Sequence, residues 1–137
     1  MKLVPVPIEQ IHACWGWVRN GLLTCLERSG QREIPEEFWA SLMSGKSTLF
    51  HMEHSSDELG FVILQKQPDS DGAAVFVWAM WGEPGALEPH EAEIVAELDR
   101  VARAAGARRL RMQSARAGWA KRQYFTETAR IYERELF

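Results

Sequence analysis

Nine consecutive apolar residues, Ala73 to Trp81, constrain the fold of this chain more than any other stretch. Val75, Phe76, Val77 and Trp78 are β-branched or aromatic, and the run is about half the ~20 residues that a membrane helix needs. A run this short and this rich in strand formers reads as a strand buried on both faces, the central strand of a sheet. Gly82, Pro84, Gly85 and Pro89 follow and end it, and a helical pattern begins near Glu88. Strand, glycine-containing loop and helix start in that order make a candidate anion site, because the unpaired N–H groups of a helix start point into the loop.

The rest of the chain supplies a sheet and its cover. Lys2 to Val6 reads as a short edge strand bounded by Pro5 and Pro7. Ile8, Ile11, Trp15, Val18, Leu22 and Leu26 recur at three and four residues, the stripe of a long helix that runs to Ser29-Gly30. Gly21 interrupts it at a cost of about 1 kcal/mol against alanine, which predicts a close contact or a bend there. Pro35 opens a second helix, with Phe38, Trp39, Leu42 and Met43 on its apolar side. Ser47 to Met52 and Glu58 to Gln67 read as strands, so that three antiparallel strands lead up to Trp81. Beyond the loop, Ile94, Leu98, Val101 and Ala105 mark a helix, Arg109 to Met112 a fifth strand, Ala115 to Tyr124 a short helix and Thr128 to Leu136 a last strand.

Length and charge narrow the function classes. The 137 residues carry no repeat and no linker, which fits one domain over 1–137. The net charge of -3 argues against a generally basic nucleic-acid binder, although the segment from Ala107 onward is basic. Cys14 and Cys25 lie about 16 Å apart along one predicted helix, too far to bridge, and read as buried thiols. There is no apolar window long enough for a membrane span, so a soluble cytoplasmic protein, or one carried in a virion, is expected.

This order of elements resembles the GNAT (GCN5-related N-acetyltransferase) superfamily over nearly the whole chain. The resemblance implies an α+β fold with a mixed, mostly antiparallel sheet of roughly six to seven strands flanked by about four helices. It also implies acetyl-CoA as the ligand and an amine as acceptor. The pantetheine would lie along Trp78, Ala79 and Met80, and the pyrophosphate around Gly82, Gly85 and Ala86. Tyr124 matches in position the tyrosine that serves as acid, although Phe125 follows it without the usual glycine. The loop departs from the family's Q/R-x-x-G-x-G/A pattern: with Ala86 last, Pro84 replaces the first glycine and Trp81 the Gln or Arg. Proline has no N–H for an anion, and Glu88, Glu91 and Glu93 at the helix start would repel a diphosphate. Ala73 to Gly82 also lacks a carboxylate to serve as base. Small divergent GNAT-like proteins of bacteriophages and prophages share this size and this degenerate loop. The alternative is therefore a non-catalytic binding or assembly component, such as a virion or accessory protein.

Two further groups bear on function. His51 and His54 point to opposite faces of a strand, and no third ligand has a recognised spacing, so no metal site is expected. Trp17 lies about 160° around the first helix from Trp15 and reads as an exposed aromatic, a candidate for a protein partner or self-association.

Overall fold

The computed structural model describes residues 1–29, 32–70, 72–112 and 134–136. Its elements are β1 (Lys2–Pro5), α1 (Ile8–Ser29), α2 (Pro35–Met43), β2 (Ser47–His54), β3 (Asp57–Asp69), β4 (Gly72–Gly82), a 3₁₀ turn (Glu88–His90), α3 (Glu91–Ala104) and β5 (Ala107–Met112). The strands lie in chain order in one sheet. Pairing is antiparallel from β1 to β4, and β5 runs parallel to β4.

Three expectations need correction. Among the described residues the sheet has five strands, not six to seven, and three α-helices, not four. The expected helix at 115–124 lies outside the described residues, as do residues 128–133 of the expected strand at 128–136, while 134–136 are described and form no strand. In the described sheet the middle strand is β3, because only β5 lies beyond β4.

Each face of the sheet carries its own core. Leu3, Phe50, Met52, Val62, Leu64, Val75 and Val77 pack against Ile94, Leu98 and Ala102 of α3. On the other face Leu49, Phe61, Ile63 and Ala79 meet Ile11, Val18, Leu22 and Leu26 of α1 and Phe38 and Leu42 of α2. Alternate residues of a strand point to opposite faces, so a strand with both faces covered reads as a continuous apolar run. Helix α3 also guards the exposed edge of the sheet: the Leu3 N–H donates to Glu97 Oε1 at 2.9 Å. The Arg100 guanidinium, 2.6 Å from Glu97 Oε2, holds that carboxyl below its ordinary range. An edge so occupied is poorly placed to recruit a strand from another chain.

Gly21 makes the close contact anticipated from its place in the helical stripe. A Cβ there would stand 2.5 Å from Phe61 Cε2 and 2.8 Å from Trp81 Cδ2, both ring atoms wedged between helix and sheet. Gly21→Ala should therefore destabilise the protein by about 1–3 kcal/mol, the usual cost of overpacking, despite alanine's higher helix propensity. Urea denaturation measures this, and a stabilised variant would refute the contact.

Candidate functional site

β4 carries one residue more than its neighbour can pair. Ile63 stands opposite Ala79 and Leu64 opposite Val77, which leaves Trp78 as the extra residue of a bulge. Trp78 and Ala79 consequently both face α1 and α2, and the Trp78 ring stacks on Phe38 with centroids 3.9 Å apart. Before the bulge Val75 and Val77 face α3; after it Met80 does.

Among the described residues the parallel pairing reaches Val77, just before the bulge. β5 follows β4 from Ala73 to Val77, which stands opposite Met112, and among the described residues no strand pairs the outer edge of Trp78 to Gly82. Across β3, the Glu83 N–H donates to the Leu59 carbonyl at 3.1 Å. Antiparallel ladders bond at every second residue, so Trp81 and Ala79 also turn their amides toward β3, while Met80 and Gly82 turn theirs to the outer edge. The Cys25 thiol of α1 reaches that edge and donates to the Met80 carbonyl at 3.3 Å.

The loop beyond β4 brings Gly82, Gly85 and Ala86 together, yet uses much of its polar backbone internally. Glu83 to Ala86 form a tight turn, closed by the Ala86 N–H donating to the Glu83 carbonyl at 2.9 Å. Pro84 in its second position and Gly85 at φ +76° in its third are the residues a type II turn demands. The His90 N–H is bonded to the Leu87 carbonyl at 2.9 Å. The Leu87 side chain lies over Gly82, its Cδ2 2.6 Å from where a Cβ would stand. At the start of α3, Glu93 receives the Met1 ammonium at 3.1 Å and His90 Nδ1 at 3.2 Å. Its carboxyl is held low chiefly by the hydrogen bond from His90.

On the α1 side, His51, Phe61 and Trp81 stand in one row across β2, β3 and β4. Trp17 covers all three, with ring centroids 5.6, 5.6 and 5.7 Å away. The expectation that Trp17 is exposed is thus wrong: it is half-buried. Trp15 and Trp17 occupy opposite flanks of a broad apolar stripe, and Trp15 packs edge-on to Trp39 of α2 at 5.0 Å. Trp17 Nε1 points at the Glu83 carboxylate, 3.5 Å away. Glu83 escaped attention in the sequence because it falls one residue beyond the strand. Tyr124 lies outside the described residues.

No family model matches the sequence, and no curated protein does. Solved structures do match. A candidate acetyl transferase of Pyrococcus furiosus superposes with a TM-score of 0.70 at 18% identity, over 98% of this chain and 99% of that one. A predicted acetyltransferase of Clostridium acetobutylicum, solved with acetyl-CoA, gives 0.67 at 13% identity, over 98% and 96%. The ribosomal-protein-alanine N-acetyltransferase of Brucella melitensis biovar Abortus 2308 gives 0.63 at 13% identity, over 99% and 96%. This is the GNAT fold. At such identities the likeness establishes architecture, and the chemistry has to be argued from the residues. No described helix is long and apolar enough to cross a membrane.

Burial pushes the Cys25 thiol up from 9.0 to about 11, with Arg28 opposing the shift. It therefore stays protonated, a donor to the strand edge, at neutral pH. In a Cys14→Ala background, iodoacetamide at pH 8 should alkylate Cys25 about a hundredfold more slowly in the folded than in the unfolded chain, because the thiolate is the nucleophile. Equal rates would remove the thiol from that edge. The folded form keeps the proton that the unfolded chain releases near 9.0, so the stability from this burial is complete below that pH. It is lost as pH rises through about 11.

Proposed function

We propose that residues 1–137 form one GNAT-like domain that takes an acyl-CoA thioester against the outer edge of β4 and transfers the acyl group to an amine. The observation that carries this reading is the bulge at Trp78, beyond which the amides of Met80 and Gly82 turn to the edge of β4 that no described strand pairs. An extended pantetheine arm has amides of its own, and its carbonyls match the outward N–H groups of such an edge, whose Met80 carbonyl accepts from Cys25. The thioester supplies an activated carbonyl. As the amine nitrogen bonds to that carbon and the C–S bond breaks, the chain has to accept one proton from the amine and return one to sulfur. Glu83, with its carboxylate on the α1 side beside Trp17, is the base in this scheme, and Tyr124 is the acid by resemblance.

The loop fits a diphosphate less well than the strand fits pantetheine. Pro84 has no N–H, the N–H groups of Glu83 and Ala86 are already bonded, and Leu87 lies over Gly82. Those observations favour a second reading, a GNAT-like protein without catalysis that serves in binding or assembly.

Calorimetry with acetyl-CoA and with acetyl-pantetheine separates the two. Affinities within about tenfold of each other are expected, because the strand and not the loop does most of the binding. A hundredfold advantage for acetyl-CoA would show that the loop holds the diphosphate after all. No heat with either ligand at about 1 mM would rule out the transferase and leave the second reading.

A further inference from the structure

The sheet face beneath α1 holds a group of side chains that the thioester site does not use. The geometry points to a divalent transition-metal site made by His51, Glu53 and Glu58. One ligand atom from each lies within 4.8 Å of the other two. Glu53 and Glu58 are direct cross-strand partners between β2 and β3. Two carboxylates placed opposite each other on a ladder repel, and Lys2, the β1 partner of Glu53, stands at the open edge. His51 Nδ1 stands 3.1 Å from Glu58 Oε1. That is close to the ~3.3 Å separating two ligands of a tetrahedral ion bound at about 2.0 Å.

Neither neutral tautomer of His51 suits this environment. Its Nε2 is buried and has no hydrogen-bond partner among the described residues. With the proton on Nδ1, the Nε2 lone pair is buried unpaired; with the proton on Nε2, the Nδ1 lone pair faces a carboxylate. A cation between Nδ1 and Glu58 removes the second conflict. The Nε2–H is then left beside the Trp17 ring, 5.6 Å between centroids at 88°, and an aromatic ring is a weak acceptor.

The remaining coordination positions open onto a cleft of about 470 Å³ between β1, β2 and α1, which Val4, Val6, Gln10 and Cys14 also line. Cys14 is not a fourth ligand, since its thiol donates to the Ile11 carbonyl at 3.5 Å. One imidazole and two carboxylates favour a first-row transition ion over Mg²⁺ or Ca²⁺. His54, turned to the opposite face, meets His90 and Glu93 in a separate group. Glu93 there is already engaged by the Met1 ammonium.

Titration of the chelator-treated full chain with ZnCl₂, followed by calorimetry and tryptophan emission, tests the site. One ion should bind with a dissociation constant of about 10 μM or tighter. Glu58→Gln, at a half-exposed position, should weaken it at least about tenfold, and His54→Ala should leave it unchanged. No uptake at about 1 mM, or uptake kept in Glu58→Gln and lost in His54→Ala, overturns the assignment. If Glu58→Gln fails to fold, X-ray absorption of the zinc-loaded wild type decides. One imidazole with oxygen ligands supports the site, and two imidazoles refute it.

Discussion

β4 has to satisfy two cores at once, and it carries a residue that its partner strand cannot pair. A strand without the bulge at Trp78 would keep its alternation. Met80 would then face α1, and Ala79 and Trp81 would face α3. The inserted residue instead lets Val75 and Val77 complete the α3 core while Ala79 and Trp81 complete the α1 core. A bulge also bends and twists the strand that carries it. The candidate thioester edge lies just beyond this bulge, and it needs no special side chain.

Helix α1 adapts to this geometry by being broad on its buried side. Gly21 lets the backbone settle onto the Phe61 and Trp81 rings, and Trp17 and Trp15 wrap its two flanks. Cys25, one turn beyond Gly21, meets the outer edge of β4. One helix therefore touches the aromatic row, the strand edge and the cleft beside His51. A shift of α1 would be felt at all three.

Much of this was legible from residue pattern. Period-four stripes located α1 and α3, turn residues separated the strands, and Gly21 announced a close contact. The bulge was not legible, because alternation marks an insertion only where polar residues interrupt it, and Ala73 to Trp81 contain none. Trp17 was misread for a related reason. Its angle around the helix was right, but an indole on the flank of a stripe is long enough to reach the sheet. Pro84 and the acidic start of α3 are legible in the sequence, as is the type II turn that Pro84 and Gly85 form. The Leu87 side chain over Gly82 arises from tertiary packing that no local pattern encodes. His51 and His54 do diverge as strand alternation requires, while the carboxylates each one meets come from the β3 ladder and from α3.

The packing of the indoles has an optical consequence. Trp17 and Trp81 stand nearly perpendicular at 5.7 Å, and Trp15 and Trp39 are inclined by 60° at 5.0 Å. Ring transitions held that close and that far from parallel couple, and coupled transitions absorb left- and right-circularly polarised light unequally, with opposite signs on either side of the band. The far-ultraviolet dichroism of this chain therefore reports the seating of α1 on the sheet as well as helical backbone. A spectrum read for helix content alone would misjudge it.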